Sequence, residues 1–228
     1  MGKLVIDLTL KGTSPVHVTG NRWKWGVDKV TAQDEAQQAV IPATSIKGNL
    51  RASALMVLRS WGIAVCRGPE PDTMCSDAHP PCPVCQVFGN PGLTAPVKFF
   101  KASPRVRMPN TNSSHIPPVE FTVRSGVSLS RHRRAALSQR LFFIESAEPQ
   151  PAQWGSRIEG IYPNATVAHQ AAALLVLSTR YSHMIGGNRS RGLGWIEAWE
   201  SHITWEDREV PVAALEHYWQ QWARGEGR

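Results

Sequence analysis

Four clustered cysteines and one glycine-rich loop are the residues of this chain whose types and spacing suit chemistry. Cys66, Cys75, Cys82 and Cys85 fall within 20 consecutive positions, and the last two form the knuckle Cys82-Pro83-Val84-Cys85. A Cys-x-x-Cys turn offers two thiolates to one tetrahedral ion, so four thiols in one window suit a structural zinc with every position filled and no catalytic role. His79 lies inside the same window and can replace one cysteine. Without a secretory signal, disulfides explain such clustering less well; unpaired thiols or a redox pair are the plainer alternative. The ion's job would be to pin a loop rich in Pro, Gly and Asp, about 62–93, that has little core of its own.

Further along, Gly186-Gly187-Asn188-Arg189-Ser190-Arg191-Gly192-Leu193-Gly194 puts four glycines and two arginines into nine residues. Glycine lets a backbone approach a ligand closely, and successive amide N–H groups form an anion-binding concavity. Arg189 and Arg191 add planar forks that match phosphate oxygens. The loop follows a helical pattern and lacks a Gly-Lys-Ser/Thr ending, so it is neither a dinucleotide turn nor a P-loop. A phosphate chain suits it better than a mononucleotide; the competing reading is a turn with two solvated arginines. The whole-chain balance points the same way, with 25 Lys and Arg against 18 Asp and Glu for a net charge of +7. That is a common footprint of nucleic-acid binders.

The elements that must position these groups follow from pattern. The 228 residues, 42% of them hydrophobic, allow one sizeable domain over 1–228 and argue against wholesale disorder. No apolar run approaches membrane-spanning length and the start lacks a signal-peptide core, so a soluble cytoplasmic protein is expected, with the sequons at Asn112 and Asn164 chance matches. Lys3 to Leu10 alternates as a half-buried strand, Pro15 to Thr19 is a short extended piece, and Gly20 to Ala39 reads as a loop. Thr44 or Ser45 can cap a helix carrying Ile46, Leu50, Ala54, Val57, Leu58 and Trp61 at helical period. Beyond the cysteine loop come an extended segment Pro96 to Ala102 and an exposed excursion Pro104 to Pro118. Strands over Glu120 to Leu129 and Arg140 to Ala147 flank the basic run Arg131-His132-Arg133-Arg134. A strand Ser156 to Ile161, a helix starting at Asn164 or Thr166 and running through Ala171, Leu174, Leu175 and Tyr181, a strand Trp195 to Ile203 and an amphipathic helix Val212 to Trp222 complete the chain. Strand, helix, strands, helix, strand is the order of an α+β, ferredoxin-like (RRM-like) βαββαβ core with insertions. That fold hosts many functions, RNA binding among them.

The residues also resemble a family. Ile41-Pro42-Ala43-Thr44-Ser45-Ile46-Lys47-Gly48-Asn49-Leu50-Arg51 is similar to the signature helix start of the RAMP superfamily, specifically the backbone subunits of type III CRISPR effector complexes of the Csm and Cmr kinds. Cys82-Pro83-Val84-Cys85-Gln86-Val87-Phe88-Gly89 resembles that family's cysteine knuckle. Arg124-Ser125-Gly126-Val127-Ser128-Leu129-Ser130-Arg131, followed by Leu141-Phe142-Phe143-Ile144-Glu145, resembles its thumb hairpin, in a region of about 103–140. The glycine-rich loop is similar to its carboxy-terminal motif, and Val16-His17-Val18-Thr19-Gly20 echoes its opening strand and loop. The blocks stand in the family's order over nearly the whole chain.

The resemblance implies a crRNA-binding subunit working in the prokaryotic cytoplasm with target RNA, other RAMP subunits and a large signature subunit. Ser45, Lys47 and Arg51 on the first helix and Gly187, Asn188, Arg189 and Arg191 on the loop would contact guide RNA, while Arg124 and Arg131 would lie on a thumb between guide and target. Lys47 and Arg51, four apart, share a helix face, and the free amides of that first turn add donors for phosphate. It further implies metal-dependent cleavage of the bound target, through its own 2′-hydroxyl, with an Asp in the loop after the first strand. Asp28 stands 13 residues before Ile41, a spacing slightly shorter than the family's. There it could hold Mg²⁺ or another divalent ion, or orient the hydroxyl; Asp34 and Glu35 are the other acids of the loop. The alternatives are a scaffold subunit with an inert Asp28, and a guide-processing RAMP endoribonuclease using a histidine such as His17. Trp23 and Trp25 could stack on bases, Trp61, Trp195 and Trp199 read as packing, and Trp219 and Trp222 as core or subunit contact.

Overall fold

Alternation makes β1 (Gly2–Gly12), which buries Leu4, Ile6, Leu8 and Leu10 on one face and turns Lys3, Asp7 and Lys11 to the other. The structure, a computed structural model, describes residues 1–68, 70–75, 81–105, 119–148 and 153–224. His79 and most of the proline-rich excursion of 104–118 lie outside the described residues. α1 (Ala43–Ser60) buries Ile46, Leu50, Ala54, Val57 and Leu58, the period expected from sequence. Its start differs from expectation, because Pro42 is the N-cap and neither Thr44 nor Ser45 caps the helix. The Pro42 carbonyl already accepts the Ser45 and Ile46 amides, closing the first turn before a hydroxyl cap can act.

The cysteine loop is not all loop. A 3₁₀ turn at Pro71–Thr73 is followed by α2 (Pro83–Phe88), whose first residue is a proline with its φ pre-set for a helix start. Two short strands, β2 (Val97–Phe99) and β3 (Ser103–Arg105), come next. β4 (Phe121–Ser130) and β5 (Ala135–Ala147) pair as a hairpin closed by the basic run Arg131 to Arg134. β5 starts five residues earlier than expected, at Ala135 rather than Arg140. A register shift opposite Val127 to Leu129, with Gln139 at φ 57°, breaks the alternation there. The remaining elements are β6 (Gln153–Tyr162), α3 (Ala165–Arg180), β7 (Ile196–Trp205), β8 (Arg208–Glu209) and α4 (Glu216–Ala223), the last preceded by a 3₁₀ turn at Val212–Leu215. Of the two candidate caps of α3, Asn164 does the work, its side chain accepting the Val167 amide at 3.0 Å.

The main sheet runs β2-β6-β1-β7-β8, with β3 also on β6. β6 is antiparallel to both β1 and β2, and β1 antiparallel to both β6 and β7. So β1 and β2 are parallel and joined through α1, and β6 and β7 are parallel and joined through α3. The two helices pack on each other and over one face, giving an α+β molecule with antiparallel sheets. Trp219 and Trp222 belong to this core, the Trp219 indole donating to the Ala173 carbonyl at 2.8 Å. Trp61 and Trp199 pack against it, whereas Trp195 departs from expectation. It precedes β7, its amide tied to the Ser14 hydroxyl, and its ring is half exposed.

The other sheet face is laced with charge. Arg157 pairs with Asp7 at 2.8 Å, Lys3 with Glu159 at 3.3 Å and Lys11 with Glu200 at 2.5 Å. On that face β1, β6 and β7 present no Phe, Tyr or Trp.

Candidate nucleic-acid interface

The four cysteine sulfurs lie within 4.8 Å of one another. A tetrahedral ion with metal–sulfur bonds of about 2.3 Å needs sulfur–sulfur edges of about 3.8 Å. The Cys66–Cys85 edge is 3.5 Å and the Cys66–Cys82 edge 3.8 Å, so the thiols can bind a metal ion such as zinc. The surroundings suit thiolates: the Cys82 amide donates to Cys75 Sγ at 3.3 Å and Arg51 Nη2 to Cys85 Sγ at 3.4 Å. Burial opposes ionising Cys66, but the Gly68 amide and the Cys85 and Cys82 thiols outweigh it and bring that thiol down to about 7. Burial pushes Cys82 and Cys85 up, so protons compete with a cation there.

Arg51 is therefore engaged with the cysteine cluster, its Nη1 also donating to the Gly89 carbonyl at 2.9 Å. Lys47, one turn earlier, is half-buried; burial and the Arg51 charge lower its pKa. The two line a groove of about 400 Å³ with Phe88, Gly89 and Asn90. Ser45 is half-buried in the first turn. Gly48 is exposed, and a Cβ there would meet nothing within 4 Å. A glycine inside a helix costs about 1 kcal/mol relative to alanine, and here it leaves bare backbone beside Lys47. Asn49, which sequence reasoning passed over, donates to the Met184 carbonyl at 2.6 Å and accepts the Ser182 hydroxyl. It ties α1 to the entry of the glycine-rich loop. The one available signal was a poor helix former in mid-helix.

The loop is clamped at both ends. A Cβ on Gly186 or Gly194 would lie 2.3 Å from the His17 oxygen or 1.9 Å from the Ile185 oxygen, and both have positive φ. The Gly187 and Gly194 amides donate to the His17 and Pro15 carbonyls at 2.7 and 2.8 Å. Those N–H groups thus hold the Pro15–Thr19 segment and are not free for an anion. Between the clamps Asn188, in left-handed backbone, leads into a 3₁₀ turn over Arg189–Arg191 that stands exposed. The Arg191 guanidinium lies over the Phe142 ring at 4.8 Å. Gly126 sits opposite Phe142 in the hairpin, and its missing Cβ leaves room for that ring and the arginine. Arg124 is exposed opposite Ile144, towards the root of the hairpin, and Arg131 stands at its turn.

Asp28 meets the next residue of the same strand. Its Oδ2 accepts the Phe143 amide at 2.6 Å and its own amide donates to the Phe143 carbonyl at 3.0 Å. The side chain is exposed, and Oδ1 has no partner among the described residues. The turn before it closes through the Val27 amide on the Lys24 carbonyl at 3.1 Å. Lys24 is ion-paired at 2.7 Å with Glu145, which is 1% exposed. The other loop acids stand elsewhere: Asp34 accepts the Gln38 amide at 3.0 Å and lines a separate groove with Glu35, Arg22 and Lys101. His17 is 2% exposed, donating Nδ1–H to the Glu145 carbonyl at 2.6 Å, with Nε2 3.0 Å from the Thr19 hydroxyl. It is a packing group, not one presented to a substrate. Among the described residues the cysteines are the one group of three or more His, Cys, Asp or Glu placed to share an ion, and Asp28 belongs to no such group.

A family model of the RAMP superfamily matches residues 9–197, a span that takes in Asp28, the cysteines, the hairpin and the glycine-rich loop. No curated protein matches the chain by sequence.

Proposed function

The chain belongs to the RAMP superfamily, whose members work in CRISPR complexes with RNA and other subunits, and on that premise we propose that it is a crRNA-binding backbone subunit of a type III effector complex that also cuts the target RNA paired to its guide. One domain over 1–228 with a ferredoxin-like core is the framework; the β2-β6-β1-β7 order with α1 and α3 on one face supports it. The β4–β5 hairpin is the thumb. A structural zinc on Cys66, Cys75, Cys82 and Cys85 fastens α2 to the end of α1; the sulfur spacing supports that assignment. A prokaryotic cytoplasmic setting goes with this reading, and among the described residues no helix is long and apolar enough to cross a membrane.

A subunit that presents a guide must hold its backbone without reading its bases, since pairing with the target does the reading. Ser45, Lys47 and the bare backbone at Gly48 on α1, with Asn188, Arg189 and Arg191 on the loop, form the guide-binding surface, and Gly187 acts behind it by clamping the loop to His17. Arg51 acts behind it, holding the cysteine cluster under Lys47. Arg124 and Arg131 carry charge along the thumb towards the target strand.

The observation that carries the nuclease reading is the convergence at Phe142 and Phe143. There the exposed Asp28 carboxylate and the Arg191 guanidinium meet the root of the hairpin from two loops far apart in sequence. The Phe143 amide fixes Oδ2, which leaves Oδ1 to accept a hydrogen bond from a target 2′-hydroxyl and draw its proton towards the carboxylate. Attack of that oxygen on the adjacent phosphorus would leave a 2′,3′-cyclic phosphate on one product and a 5′-hydroxyl on the other. A divalent ion such as Mg²⁺, when bound by Asp28 and the RNA phosphate, would supply charge neutralisation at the phosphate. Asp28→Asn keeps an acceptor for the Phe143 amide and removes the charge. It should lower cleavage by the assembled complex at least about a hundredfold with target binding intact. Equal cleavage by both forms would move the chemistry to another residue or subunit.

A scaffold-only reading rests on Asp28 belonging to no group of three or more His, Cys, Asp or Glu among the described residues. Tight target binding by the wild-type complex with no cleavage, divalent ion present, would establish that reading instead.

A further inference from the structure

Trp23 and Trp25 are 82% and 84% exposed. They stand on a turn that is held at three points: the Val27 amide on Lys24, the Lys24 ion pair with buried Glu145, and the Asp28 bonds to Phe143. Burying a large apolar side chain stabilises a fold, and these two indoles contribute nothing of that kind, since neither belongs to the core. With Leu141, itself 60% exposed, they line a groove of about 450 Å³ that also holds Asp28. Asp28 is the one acid in that lining, Lys24 is within it, and Arg22 and Lys29 flank it in the chain.

We infer that Trp23 and Trp25 form a stacking platform for unpaired bases of a single-stranded RNA, seating a nucleotide beside Asp28. The inference rests on the RNA-binding reading above and adds how the strand is held at the acid. Indole faces stack on any base, a recognition that ignores sequence, and the cations around the turn suit a polyanion. A protein partner fits less well, because the centres of protein interfaces are depleted of charge and this groove has Lys24 and Asp28 between its apolar groups. Bases in a duplex are already stacked and paired, so the platform selects unpaired nucleotides. Seating the base also fixes its ribose, which brings the 2′-hydroxyl into line with the free oxygen of Asp28.

The test is a fluorescence titration of the full chain with single-stranded oligouridylate, a blunt RNA duplex of the same length and an abasic ribose-phosphate oligomer. The single strand alone should quench the emission of the exposed tryptophans, and the double variant W23F/W25F should bind without that quenching. W23A and W25A should each weaken single-strand binding by about five- to a hundredfold and leave duplex binding unchanged. Equal RNA affinity in wild type and W23A/W25A, with emission unmoved, would overturn the platform and leave the RNA-binding reading standing. Failure of every form to bind RNA would overturn both. A double alanine variant that binds RNA normally but no longer assembles with other subunits would mark the patch as a protein interface and overturn the platform.

Discussion

His17 shows how burial changes the meaning of a residue. Its imidazole lies under the loop with Nδ1 on the Glu145 carbonyl. Burial is the main cause lowering its pKa, with the Lys29 charge adding to that, while the Glu145 carbonyl and carboxylate pull the other way. A depressed folded-state pKa means that the unfolded chain binds the proton more tightly. Stability from His17 is therefore complete above its ordinary value near 6.5 and is lost as pH falls through that value towards the depressed one. Melting temperature is expected to drop as pH falls below about 6.5, by about 1.4 kcal/mol of stability for each unit of depression. His17→Gln should melt lower at neutral pH but show a flatter profile over that window in calorimetry. An identical pH profile for both proteins would mean that His17 is not the group responsible. Arg51 makes the same point from the other side, since its spacing from Lys47 was legible but its engagement with Cys85 and Gly89 was not.

At the scale of elements, the cysteine cluster brings the loop after α1, through Cys66 and Cys75, together with α2, a six-residue helix that buries four of its residues. Val84, Val87 and Phe88 of α2 belong to the core, and Arg51 bridges α1 to α2 through the Cys85 sulfur. Purified protein should carry about one zinc per chain by elemental analysis, with the thiols unreactive until it is removed. Stripping the ion with a strong chelator should lower the melting temperature by several degrees. In hydrogen exchange it should expose the α2 amides while β1, β6 and β7 stay protected. A metal-free protein with an unchanged melting curve would leave the cluster as four free thiols. The elements themselves were largely readable, because β1, α1 and α3 repeat at clean periods. α2 and the first half of β5 were not, since six residues make too short a pattern and the shift near Gln139 breaks the alternation.

Over the whole molecule, the +7 charge is not spread evenly in effect. On the open sheet face Lys3, Arg157 and Lys11 are matched to Glu159, Asp7 and Glu200, and β1, β6 and β7 offer no Phe, Tyr or Trp for stacking there. In the proposed reading, the cations presented to a strand are those of α1, the glycine-rich loop and the hairpin. Neutralising one phosphate of a single strand contributes about −0.7 to the slope of log affinity against log salt. Lys47, Arg124, Arg131, Arg189 and Arg191 together would give a slope of about −3 to −4. Replacing Arg189 and Arg191 by Ala should make it shallower by about one unit or slightly more, whereas replacing Lys3 and Arg157 should leave it alone. A slope that responds to the sheet-face pair instead would put the RNA on the sheet.

The sequence by itself determined the order of the long strands and of α1 and α3, the +7 balance, the cysteine window and the presence of an acid in the loop after β1. These are local or compositional properties, carried by neighbours in the chain. Only the tertiary structure decided that Pro42 rather than a hydroxyl starts α1, that His17 is sealed in, and that Arg51 faces sulfur. It alone brought Asp28 and Arg191 to adjacent residues of one strand, Phe143 and Phe142. Such meetings depend on which strands pair and which loops cross, and no periodicity along the chain encodes contacts between segments more than a hundred residues apart.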